Sequence, residues 1–135
     1  MKRSPDYYHN RKLLCGLFDD GVKYRTKKID IEIWFNILNE QIFGNKLCKV
    51  KKFQIKHDAG RHAYYAYYDK NHKNYGKTRI VMDNKFRSKK KFVEILAHEM
   101  IHHFQVEYDE PVGHGPTFTA WRDNFKVKGL NLYKV

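Results

Sequence analysis

The sequence predicts an α+β domain in which a small three-stranded antiparallel sheet packs on helices. Two observations carry that prediction. Apolar residues recur at three-four spacing before residue 44 and again after residue 88. Between them the pattern shortens to strand-like alternation rich in aromatic residues.

Residues 1–28 read as a basic N-terminal arm, loose, with turn signals at Ser4-Pro5-Asp6 and Asp19-Asp20-Gly21 and a short helix near Leu13 to Phe18. Residues 29–135 read as the folded domain. Asp30 stands near the start of a first helix carrying Ile33, Trp34, Ile37, Leu38, Ile42 and Phe43, which Gly44-Asn45 ends. Val50, Phe53 and Ile55 fit a strand with lysines facing outward. The segment from Arg61 to Asp69, with Tyr64, Tyr65, Tyr67 and Tyr68, fits a second strand. Asn71, Asn74 and Gly76 mark a hairpin loop before a third strand from Thr78 to Met82. Ser88 can cap the next helix, whose stripe is Phe92, Ile95, Leu96, Met100 and Phe104. After a glycine-rich loop, Pro116 suits the first turn of a last helix that carries Phe118, Trp121 and Phe125 and stops near Gly129.

The chain of 135 residues is the size of one domain and can bury a core without crosslinks. Its mean hydropathy is −0.80, and no apolar run approaches the roughly 20 residues that a membrane-spanning helix needs. Met1-Lys2-Arg3 is like the basic end of a signal peptide, but the apolar patch Leu13 to Phe18 is short and runs into Asp19-Asp20. The expected location is therefore intracellular: cytoplasm or nucleoid, or a host's cytoplasm if the source is viral. A monomer is expected. Cys15 and Cys48 are too few for a disulfide framework and read as buried free thiols. The net charge is +12, and residues 51–97 hold most of the excess, with 13 basic against 4 acidic groups. A field of that sign concentrates polyanions, and the basic stretch 49–91 with its interleaved aromatics points to DNA as a partner.

The chemistry is concentrated in His98-Glu99-Met100-Ile101-His102. Helix positions four apart share a face, so His98 and His102 can point two imidazoles at one metal ion. Glu99, beside the first of them, can reach a water on that ion without being a ligand. An apolar helix would otherwise bury two histidines and a glutamate without cause. Catalytic zinc takes a third protein ligand and keeps one position open. The metzincin spacing would require a histidine at position 108, which is Tyr108. Glu107, Asp109 and Glu110 are acidic alternatives. His103 points about 100° away from His102 around the helix. His114, set between Gly113 and Gly115 just before a helix, is favoured because glycine lets the backbone turn toward the site.

Ala97 to His102, followed by Gly113-His114-Gly115-Pro116-Thr117-Phe118, resembles the signature of the SprT-like (Spartan-type) zinc metalloprotease domain family. Leu38-Asn39-Glu40 and Phe43 to Leu47 resemble its first helix and exit, and Gly60 to Tyr68 with Arg79 to Met82 its small sheet. The resemblance spans roughly residues 29–128. It implies a zincin-like fold and a zinc-dependent endopeptidase, with His98, His102 and His114 as Zn2+ ligands and Glu99 as general base. It also implies protein substrates bound or crosslinked to DNA. The cysteine pairs of the zinc ribbon that many relatives carry are missing here, so DNA contact would fall to the protease domain and its basic arm. One of Tyr64, Tyr65, Tyr67, Tyr68 or His62 is a candidate donor to the oxyanion. His9, His57 and His72 read as surface residues. The competing reading is a nucleic-acid-binding module whose zinc is structural or catalytically silent.

Overall fold

The computed structural model describes residues 5–58 and 60–133. The basic start at Met1 to Arg3, and Ser4 of the first expected turn, lie outside them. The architecture is α+β. In chain order the elements are α1 (Pro5–Cys15), β1 (Tyr24–Arg25), α2 (Lys28–Gln41), β2 (Lys52–Ile55), β3 (Ala63–Ala66), β4 (Arg79–Met82), β5 (Lys85–Phe86), α3 (Lys89–Glu107), α4 (Pro116–Thr119) and α5 (Arg122–Lys126).

Residues 5–15 of the N-terminal segment are docked rather than loose. Residues 5–15 are helical, and Leu14 is 1% exposed in the same core as α2 and α3. Two hydrogen bonds tie α1 to the end of α2: Gln41 Nε2 donates to the Tyr7 carbonyl at 2.9 Å, and Asn10 Nδ2 to Glu40 at 3.2 Å. Further on, β1 pairs antiparallel with β5, Tyr24 opposite Phe86. The Tyr24 hydroxyl donates to Asp30, which lies in the first turn of α2 as expected. A polar composition concealed this docking because a single apolar residue, Leu14, inserts deeply.

The main sheet has the order β2-β4-β3 and is mixed. β3 and β4 are antiparallel, as the hairpin reading expects, but β2 lies parallel to β4, Phe53 opposite Ile80 and Ile55 opposite Met82. This corrects the all-antiparallel sheet. Side-chain alternation has period two in either ladder, so it identifies a strand without giving its direction or neighbour. Ile80, Val81 and Met82 are all buried, which is why β4 takes the central place.

The sheet and α2 both pack on α3, a 19-residue helix whose Ser88 cap accepts from the Lys91 N–H at 3.1 Å. Phe92, Val93, Ile95, Leu96, Ala97, Met100 and Ile101 are buried around nearly its whole circumference. Two basic side chains near its start have partners within the chain, at the surface. Arg87 pairs with Asp19 at 3.0 Å, and the Lys89 ammonium lies 5.5 Å from the centre of the Trp34 ring. The last expected helix is split into α4 and α5. Both cysteines are exposed, against the expectation of buried thiols. Among the described residues, no helix is long and apolar enough to cross a membrane.

Candidate metal centre

α3 presents His98 and His102 on one face, one helical turn apart, and their Nε2 atoms approach to 3.3 Å. The loop between α3 and α4 returns to the same point and sets His114 Nε2 3.3 Å from His98 Nε2. One nitrogen from each of the three rings falls within 4.8 Å of the others. Among the described residues this is the histidine, cysteine and carboxylate group arranged to hold a metal ion. Phe118 roofs it, with ring centroids 4.9, 5.7 and 4.7 Å from His98, His102 and His114. Gly113, at φ 142°, makes the turn into His114, whereas Gly115 has an ordinary φ of −82°.

The other side of each imidazole shows which nitrogen is free. His98 Nδ1 lies 2.5 Å from the Tyr133 carbonyl, which can only accept. Nδ1 therefore carries the proton, and Nε2 directs a lone pair at the cluster. The Tyr133 segment is held in turn by Glu94, which is 2% exposed and lies one turn before His98 on α3. Glu94 accepts from the Asn131 N–H at 2.6 Å and from the Tyr133 hydroxyl at 3.4 Å. The Lys91 ammonium sits 3.3 Å from the centre of the Tyr133 ring. His102 Nδ1 bonds Gln105 Oε1 at 2.9 Å. Burial, and then the neighbouring His102, depress His98 from 6.5 to about 4, so it is neutral over the ordinary pH range. Burial lowers His102 as well. At 3.3 Å one ring can donate to its neighbour or a cation can take the lone pairs of all three, so the group could hold a metal ion.

Glu99 is 5% exposed, and burial pushes its carboxyl up from 4.5 to about 8, with Arg61 opposing the shift. Its Oε2 lies 3.8 Å from His98 Nε2. In the metal-free protein both groups are neutral at pH 6, so this contact is not an ion pair there. Glu99 opens into a cavity of about 550 Å³ lined also by Ile95, Arg61, His62, His57 and Asp83.

The other sequence candidates lie elsewhere. His103 turns away from the cluster. Its Nε2 bonds the Cys48 carbonyl at 2.8 Å, and its Nδ1 the Tyr65 hydroxyl at 2.7 Å. Glu107 accepts from the Cys48 N–H at 3.0 Å, and Asp109 pairs with Lys70 at 2.9 Å. Glu110 is not in the cluster. Of the suggested oxyanion donors, Tyr65 is bonded to His103, Tyr64 lies under the Arg61 guanidinium, and Tyr67 and Tyr68 line a separate pocket with Tyr75. His62 does line the Glu99 cavity. So does His57, an exposed residue bonded through Nδ1 to Asp83 at 3.0 Å. His9 and His72 are exposed. Sequence reasoning missed Glu94, Gln105 and Tyr133. Glu94 and Gln105 stand four before His98 and three after His102, spacings that were readable, but their partners come from distant loops.

A family model, that of the SprT-like family, matches residues 31–133. No curated protein matches the chain.

Proposed function

The chain belongs to the SprT-like family, and from that premise we propose that it is a zinc-dependent endopeptidase. The observation that carries the reading is the convergence of His98, His102 and His114 with buried Glu99 beside them at the head of a cleft. Tetrahedral zinc with nitrogen ligands at about 2.0–2.1 Å separates those nitrogens by roughly 3.3 Å. The His98–His102 and His98–His114 Nε2 separations are both 3.3 Å. The donor set thus suits zinc, held by the three Nε2 atoms with room for one more ligand.

When bound, the zinc acts as a Lewis acid that polarises the scissile carbonyl and makes water more acidic. Glu99 takes a proton from the attacking water at a carboxylate oxygen and delivers it to the leaving amine. Its place beside His98, at the edge of the cavity, lets one carboxylate serve both halves of the transfer. Tyr133 and Gln105 fix the His98 and His102 rings. The cavity from Glu99 to His57 seats the substrate chain.

The substrates of this reading are proteins associated with or crosslinked to DNA. It is supported by the net charge of +12 and by the exposed Lys49, Lys51, Lys52, Lys56, Lys73 and Lys77 on and beside the sheet. Tyr67, Tyr68 and Tyr75 stand exposed among them, where bases can stack.

The test is cleavage of a DNA-bound protein by the zinc-loaded chain, with and without single-stranded DNA. Glu99→Gln should lower the rate by about 10²–10⁴-fold while zinc and DNA binding persist. Undiminished cleavage by that variant would overturn the role of Glu99. No cleavage of any protein by a zinc-loaded wild type would favour the silent binding module. DNA affinity should fall steeply with salt, and absence of binding at low salt would remove DNA from the proposal.

A further inference from the structure

Gln105 lies on α3 outside the proposed proton transfer and is 0% exposed. Its amide makes four hydrogen bonds, the full complement that two donors and two lone pairs allow. Oε1 accepts from His102 Nδ1 at 2.9 Å and from the Gly113 N–H at 3.2 Å. Nε2 donates to the Gly113 carbonyl at 3.1 Å and to Thr117 Oγ1 at 3.1 Å. Thr117 gives its own hydroxyl proton to the Pro111 carbonyl at 2.7 Å, so toward Gln105 it can only accept.

These partners leave the amide one orientation. The Gly113 N–H requires an oxygen, and its carbonyl requires an N–H. With Oε1 so placed, His102 Nδ1 must be the donor, and the lone pair of His102 falls on Nε2. The same amide therefore sets the tautomer of one histidine and clamps the residue immediately before another.

We propose that Gln105 is a positioning residue that locks the 111–117 loop to His102, so that His102 and His114 present their nitrogens as one unit. The proposal rests on the metal-centre reading above. An apolar residue of the same size could fill the space and hold α3, but it could neither fix the tautomer nor clamp Gly113.

The experiment uses the full chain carrying Glu99→Gln, so that activity does not enter. Zn2+ affinity is measured by competition with a chromophoric chelator, and ligand geometry by the visible spectrum of the Co2+ form. Gln105→Leu should weaken zinc by about 10–100-fold and alter the Co2+ spectrum. Adding His114→Ala should then cost less than it does in the parent. Thr117→Val, which spares the His102–Gln105 bond, should weaken zinc measurably but by less than Gln105→Leu does. Wild-type affinity with an unchanged Co2+ spectrum in Gln105→Leu would overturn the proposal, even if the melting temperature fell. Should Gln105→Leu not fold, unchanged affinity in Thr117→Val decides against it. A parent that binds no zinc sinks the metal-centre reading and this proposal together, whereas a parent that binds while the Gln105 variant is indifferent sinks only this one.

Discussion

His98 and His114 lie 3.3 Å apart at their Nε2 atoms and reach that point from opposite kinds of structure. His98 is 2% exposed in the middle of α3, with a backbone carbonyl on its far nitrogen. His114 is exposed, on a loop between two glycines. The helix supplies a face that exists because apolar burial requires the helix, whether or not a cation is present. The loop supplies a nitrogen next to Gly113, whose N–H and carbonyl are both bonded to Gln105. The two regions therefore divide the candidate site into a half on a buried helix and a half on an exposed loop.

The widest separation between the halves should come from removing each ligand in turn. His98→Ala leaves a cavity and an unpaired Tyr133 carbonyl, and should cost the metal-free protein about 2–3 kcal/mol. It should also abolish tight zinc binding. His114→Ala should weaken zinc yet change metal-free stability by no more than about 0.5 kcal/mol, as exposed sites do. Denaturant melts in chelator and zinc titrations of both variants check this. Equal losses of metal-free stability would break the comparison.

The pH dependence of the metal-free protein probes the buried half. Glu99 has a folded value of about 8 against 4.5 unfolded, so its contribution is fully present below pH 4.5 and is lost as pH rises to about 8. His98 runs the other way. Its folded value of about 4 lies below 6.5, so its contribution is present above pH 6.5 and is lost as pH falls toward 4. Glu99→Gln removes only the first. Its stability relative to wild type should climb by up to about 1.4 kcal/mol per pH unit across that window. A pH-independent difference between the two proteins would show that Glu99 is not held in its protonated form.

The smallest effect concerns the loop. Gly113 has a φ of 142°, with nothing within 4 Å of an added Cβ, so Gly113→Ala meets backbone strain rather than a clash. It should cost about 1–3 kcal/mol and weaken zinc by drawing His114 away. Gly115→Ala, at a φ of −82° and in open space at the cap of α4, should cost less stability than Gly113→Ala and leave zinc affinity unchanged. Thermal melts and zinc affinities of the pair sharpen the assignment of the turn to one glycine.

Local patterns in the sequence determined the helical face bearing His98 and His102, the Ser88 cap, the positions of the main strands and the concentration of positive charge. Each depends on residues a few positions apart, where period and side-chain chemistry suffice. The position of His114 before a proline-started helix was legible for the same reason. Only the tertiary structure decided that β2 runs parallel to β4, that Leu14 carries α1 into the core, and that both cysteines face solvent. It alone brought the Tyr133 carbonyl to His98 and Gly113 to Gln105. Those pairings join residues 35 and 8 positions apart through backbone groups, which every residue type carries alike. A backbone carbonyl leaves no mark in a sequence, so its partner emerges only when the chain has buried its apolar surface and each enclosed polar group has found another.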